Sequence, residues 1–216
     1  MKDIRNNKGG FSLIELIVVL VISSAVLSGI YSVYTTNQKV FTTQQQVVEM
    51  EQNLRAATFM LVNDLRMAGY DPTGDASAGI VSLGSDWITI TMDLDDDDAF
   101  TSAGETITYA LDTLDGELKL FRNPSGPPVA DEVVADNIDA LDFVYFDGAG
   151  AVTTTAADVR SIQVTIVART SHRTADGFVN NTPYNTPQGA TIYTAPSDTF
   201  RRRMLISRIK CRNLGL

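Results

Sequence analysis

The chain has 216 residues, 44% of them hydrophobic and 20% charged, and a formal net charge of −9. That acidity excludes nucleic acid as a partner of the whole molecule, because phosphate binding needs a basic footprint. A single cysteine, Cys211, and a single histidine, His172, exclude a Cys/His zinc site and an intramolecular disulfide. The charge is unevenly spread: residues 71–199 hold 21 acids and 5 bases, whereas 200–216 hold 6 bases and no acid. A basic end beside an acidic body reads as an internal strand neutralised by its neighbours, with an interface as the alternative.

Residues 1–10, MKDIRNNKGG, carry Lys2, Arg5 and Lys8 against Asp3. Phe11 to Ile30 then form a mostly apolar run of 20 residues, about the length a helix needs to cross hydrocarbon. Basic residues ahead of the span place the N-terminus in the cytoplasm and the rest beyond the membrane. Glu15 is out of place there, since a carboxylate near a bilayer centre costs roughly 2.5–3.5 kcal/mol. Three readings compete. One is a secretory signal cut at Ser23-Ser24-Ala25, giving a mature start at Val26; another is a plain signal anchor. The third is a leader cut between Gly10 and Phe11, which leaves the apolar run in the mature protein. Only the third accounts for Gly10, Phe11 and Glu15 together.

The stretch GGFSLIELIVVLVI (9–22) resembles the N-terminal motif of type IV prepilins and type II secretion pseudopilins. The resemblance implies cleavage after Gly10 by a prepilin peptidase, N-methylation of Phe11, and Glu15 as the fifth mature residue. Cleavage frees a positive amine on Phe11 at the membrane edge. The Glu15 carboxylate, unpaired in a lone subunit, can then be neutralised by the Phe11 amine of a neighbour. Removing one partner of such a buried pair costs about 3–5 kcal/mol, so the pair sets the axial register of a filament. The implied partners are the peptidase, other major and minor pilins or pseudopilins, and the inner membrane.

No proline occurs between 31 and 69, and Val47, Met50, Leu54, Ala57, Leu61, Leu65 and Ala68 recur at three/four spacing. That is one apolar stripe on a helix, suited to lie on a sheet. A helix over 11–69 would be roughly 88 Å long at about 1.5 Å per residue. The polar run TTNQK…TTQQQ weakens it locally, because Thr and Asn are poor helix formers. GYDPTG (69–74) ends it with a glycine and a following proline. The stretch NLRAATFMLVNDLRMAGYDP resembles the helix end of PilW-like minor pilins and the related J-type pseudopilins.

After Asp71 the period becomes two. DWITITMDL (86–94) puts Ile88, Ile90, Met92 and Leu94 on one face. ETITYAL (105–111) and GELKLF (116–121) follow, joined through Asp115-Gly116, a hairpin signal. IDALDFVYF (138–146) and RSIQVTIVAR (160–169) are strands, the latter with Ile162, Val164, Ile166 and Ala168 inward. RMLISRIKC (203–211) closes the set, with Leu205, Ser207, Ile209 and Cys211 inward and Arg208, Lys210 and Arg212 opposite; the tail RRRMLISRIKCRN resembles the last strand of PilW-like proteins. Residues 172–200, rich in Pro, Asn, Thr and Gly, form a connection too long for a tight turn. Within it, Asn180-Asn181-Thr182 matches a glycosylation sequon by chance composition.

DLDDDD (93–98) is the one candidate metal site. Calcium takes roughly six to eight oxygens, and Asp93, Asp95 and Asp97 fill the first three slots of a calcium loop. The glycine slot is Asp98 and the twelfth position is Gly104, so the pattern fails, and a solvated acidic turn is the better account. Calcium is the only cofactor considered; none is required. There is no G-x-S-x-G, no phosphate-binding glycine loop, and any serine triad would hang on His172 alone, so no enzyme is expected. Cys211 reads as a small buried hydrophobe.

The fold expected is α+β: a long N-terminal helix, transmembrane first and amphipathic after, packed on an antiparallel sheet headpiece. The segments are a leader at 1–10, a transmembrane or filament-core helix at 11–30, its amphipathic continuation at 31–70, and a periplasmic headpiece at 71–216. The resemblance implies a PilW-like minor pilin that is built into, or primes, a pilus. The alternatives are a J-type minor pseudopilin and a membrane-tethered ligand-binding protein. Direct DNA contact is not expected, the Arg201–Arg203 cluster being the only place for it.

Overall fold

The computed structural model describes residues 10–124 and 132–215. The basic leader positions Lys2, Arg5 and Lys8 therefore lie outside the described residues. Helix α1 runs over Leu13–Met67. Ser12 stands at its N-cap, and the Ser12 backbone N–H donates to Glu15 Oε2 at 2.9 Å. This is the returning half of a capping box, in which an acid three residues into the helix satisfies an otherwise orphaned donor. The polar run that weakened the helix reading does not break it. Thr36 and Thr42 return their hydroxyls to the carbonyls of Ser32 and Gln38, at 2.9 and 3.0 Å, so the side chains compete little with the helical backbone.

Gly69 ends the helix with φ +79°, a left-handed conformation that costs a glycine little. Its N–H donates to the Thr91 carbonyl at 3.0 Å, fastening the helix end to the strand that follows.

The chain divides into two compact units, Met1–Thr43 and Gln44–Leu216. In the second, α1 buries Met50, Leu54, Ala57, Leu61 and Leu65, with Ala68 just beyond it; the stripe read from the sequence is the core face. Two antiparallel sheets meet it. Strands β1 (Ile80–Leu83), β2 (Trp87–Thr91), β3 (Thr106–Leu114), β4 (Glu117–Pro124) and β5 (Glu132–Ala135) form a five-stranded meander in sequence order. Strands β6 (Ile138–Phe146), β7 (Ser161–Arg169) and, after the small hairpin β8 (Pro183–Asn185) and β9 (Thr191–Thr194), β10 (Arg202–Lys210) form a second sheet ordered β10-β7-β6. Ile88, Ile90, Ile107, Tyr109 and Leu120 from the first sheet share one apolar cluster with Leu141, Phe143, Ile162, Ile166 and Ile209 from the second.

The β3–β4 hairpin turns at Asp115 and Gly116, whose φ values of 56° and 80° are both positive, as the two-residue turn matching strand twist requires. The expected single sheet is thus two sheets and a hairpin. Four short strands, β1, β5, β8 and β9, escaped the alternation pattern. Strand β2 stops at Thr91, so Leu94, expected inward, is half exposed in the loop beyond.

Strand β10 is an edge and not the internal strand expected of a neutralised basic segment. The internal strand is β7, whose outward residues Gln163, Thr165 and Val167 are buried along with its inward ones. The 172–200 connection lies over that outer face. Gln163 and Gln188 exchange amide hydrogen bonds at 2.9 and 3.1 Å.

One polar network crosses from helix to sheet. Asp64 Oδ2 accepts from Tyr109 Oη and from Arg122 Nε, both at 2.7 Å. Burial, then the adjacent carboxylate, push the Tyr109 phenol far above its ordinary range. Asp64→Ala strands a buried hydroxyl and removes the guanidinium's closest anion. It is expected to lower the unfolding free energy by about 2 kcal/mol, read by chemical denaturation of the full chain in detergent.

Candidate assembly interface

Among the described residues of the first unit the large apolar side chains are left uncovered. Every large apolar residue from Phe11 to Tyr34 is exposed, Phe11 at 91%. A helix that is apolar all round has nothing to gain from facing water. This helix is long and apolar enough near its N-terminus to cross a membrane. Gly10 is exposed and precedes the helix, so the Gly10–Phe11 bond lies ahead of the first turn. Glu15 lies on one side of the helix with Phe11, Ile14, Val18 and Val19. Its carboxylate is not unpaired in the single chain, as the sequence suggested, because it holds the Ser12 N–H.

The acidic loop is a second cluster. Asp93 is fully buried, its Oδ1 accepting from the Asp96 N–H at 2.7 Å and its Oδ2 from the Asp98 N–H at 3.3 Å. Glu105, also fully buried, accepts from the Leu94 and Ser102 N–H groups at 3.1 and 2.8 Å. The Ser102 hydroxyl donates to Asp95 at 2.6 Å and holds that carboxyl below the usual carboxylate range. Asp93, Asp95, Asp97 and Glu105 bring carboxylate oxygens within 4.8 Å of one another.

Sequence reading found three of these four. Glu105 follows the failed twelfth position, Gly104, by one residue, and belonged to a strand pattern. The set has the oxygen chemistry calcium takes, but its two buried carboxylates already fold the loop by accepting backbone N–H groups.

The basic C-terminal segment separates into two roles. Arg202 is buried among Asp139, Asp198 and Tyr193, while Arg208, Lys210 and Arg212 are exposed. His172 is exposed, and no base-and-nucleophile pair forms around it among the described residues. Cys211 is buried, and burial pushes its thiol up to about 12, which suits the hydrophobe it was read as.

Residues 5–31 match the prokaryotic N-terminal methylation motif. No curated protein sequence matches the chain as a relative. The structure is similar to that of the type IV-like pilin TTHA1219 from Thermus thermophilus, with TM-score 0.54 and 16% identity over 78% of this chain and 100% of that one. The fold is type IV pilin-like.

In this pilin-like chain the methylation motif spans the exposed start of α1, and Gly10, Phe11 and Glu15 all fall inside it. The pilin-like headpiece supplies an apolar seat for the second half of the helix. The first half is left with a bare apolar surface and one acid.

Proposed function

We propose that the chain is a minor pilin of the PilW-like type, a structural subunit held in the inner membrane and then built into a pilus or used to start one. Residues 1–10 are its leader, 11–30 the span that becomes filament core, 31–70 the amphipathic continuation, and 71–216 the periplasmic headpiece. A prepilin peptidase cuts after Gly10 and methylates Phe11. The single observation that supports this most is the coincidence of the motif with a helix whose apolar side chains are all exposed up to Tyr34. Such a surface is satisfied by lipid first and by the same segments of neighbouring subunits later.

The mechanism is assembly. The span anchors the subunit, cleavage frees the Phe11 amine, and the amine of one subunit meets Glu15 of the next. A J-type pseudopilin would share every one of these steps and differ in the filament from which the chain is recovered.

Mass spectrometry of the mature N-terminus tests the reading. A chain beginning at N-methylated Phe11 is the expected result. A chain beginning at Val26, or one retaining residues 1–10, overturns it.

A further inference from the structure

We propose that a basic depression on the outer face of the second sheet receives the acidic loop of a second copy of this chain. The contact needs two headpieces side by side and nothing from residues 1–43, so it holds or fails apart from N-terminal processing.

Across the second sheet Lys210 pairs with Ser161, and Ser161 with Phe146. The alternate residues Ile162, Ile209 and Cys211 are buried in the core on the opposite face. The 172–200 connection covers the outer face at Gln163, through Gln188. At the Lys210–Ser161–Phe146 row that face is open, and Arg208, Lys210 and Arg212 line a depression of about 760 Å³. All three are exposed.

Arg208 is held in place without any anion. Its guanidinium lies 3.9 Å over the Phe146 ring, and its Nε donates to Ser161 Oγ at 3.1 Å. The two terminal nitrogens are left as a fork of the kind that matches a carboxylate. Gly150 stands beside that fork and, having no side chain, leaves it uncovered; a Cβ there would lie 3.9 Å from Nη2. Asp147, in the wall, is engaged locally, its Oδ1 accepting the N–H groups of Ala149 and Ala151 at 2.9 and 2.8 Å.

Two sets of charges are unpaired within the chain, and they are opposite in sign. Among the described residues no carboxylate comes within ion-pair distance of Arg208, Lys210 or Arg212, and no cation within that distance of any acid in 93–105. Elsewhere the headpiece does pair its charges, as Arg122 with Asp64 and Arg202 with Asp139 and Asp198. Residues 93–105 hold six acids and no base. The four acids at 95–98 are exposed, while the buried Asp93 and Glu105 fix the loop from behind by accepting its N–H groups. A loop and a fork that are ordered beforehand lose little freedom when they meet.

Sign and supply select the occupant. Three cations around one hollow call for carboxylates held close together, and each copy of the chain carries such a cluster. Loop against loop and depression against depression are refused by like charge. Only the crossed contact remains, and since every copy has one of each, it can pass head to tail from copy to copy.

The test mixes two pools of the full chain, one isotope-labelled, in neutral detergent with EDTA, and applies a zero-length carbodiimide cross-linker. The expected product is a heavy–light peptide joining Lys210 of one pool to an acid of 95–98 in the other. Arg208→Glu with Arg212→Glu is expected to lower its yield about tenfold, as the loss of exposed ion pairs at one contact implies. A second variant, Asp96→Asn with Asp97→Asn and Asp98→Asn, keeps the depression and loses the loop's charge; asparagine tolerates the positive φ of positions 96 and 98. Mixing the two variants is expected to restore the yield, with Lys210 always from the asparagine variant, and neither variant should change the circular dichroism spectrum. No heavy–light product at Lys210, or a yield that Arg208→Glu with Arg212→Glu leaves unchanged, overturns the proposal. Products from Lys210 spread over exposed acids such as Asp75 and Asp115, or a loss that the mixture does not restore, overturn it too.

Discussion

Arg202→Ala is expected to lower the unfolding free energy by about 3–5 kcal/mol, the range for stripping one partner from a buried ion pair. The Arg202 side chain is 1% exposed. Its Nε donates to Asp139 Oδ2 at 2.5 Å, its two terminal nitrogens to Asp198 at 2.6 and 2.7 Å, and one of them also to Tyr193 Oη at 3.2 Å. Truncation strips Asp198 of its bidentate partner and, among the described residues, leaves Asp139 with only the more distant Arg169, at 3.6 Å. Arg202→Lys restores the charge but not the planar fork, and should recover only part of the loss.

Acid titration of the full chain provides a second reading of the same site. The Asp198 carboxyl is held below its ordinary range, chiefly by the Arg202 side chain. A depressed folded-state value means that the stabilisation is complete above the unfolded value, about 3.9, and is lost as pH falls through the folded one. Wild type should therefore lose stability below about pH 4, and Arg202→Ala should flatten that acid limb. A variant as stable as wild type with the same acid limb would show that the cage contributes nothing.

Glu15→Ala is expected to insert in the membrane and be cleaved, yet to enter filaments more than about a hundredfold less well, as the loss of a buried pair implies. The alanine removes two things at once, because Glu15 also caps its own helix through the Ser12 N–H. Glu15→Gln separates them. Glutamine serves the capping box as well as glutamate does but carries no charge for a neighbour's amine. If the charge sets register, Gln fails like Ala. If the cap is what matters, Gln incorporates like wild type, and the register role of Glu15 is wrong. Counting subunits in sheared filaments by immunoblot reads the outcome.

The long elements were legible because their periods are unbroken. The stripe from Met50 to Leu65 and the alternation of β6 and β7 name their own inward faces. What stayed hidden depends on residues far apart in the chain. Nothing local marks Arg202 as different from Arg201 and Arg203; its burial is set by Asp139, 63 positions away. The outward residues of β7 read as solvent-facing until the 172–200 connection covers them. That connection showed only turn-forming composition, and its strands β8 and β9, of three and four residues, are too short to display a period. Glu105 was hidden by its place in a strand pattern, although it completes the acidic cluster.

The bond between Ser12 and Glu15 also bears on docking. In a single chain the Glu15 carboxylate is already oriented by its own backbone. Under the proposed assembly a neighbour's amine then meets an acid whose rotamer is fixed beforehand, so docking does not also have to order that side chain.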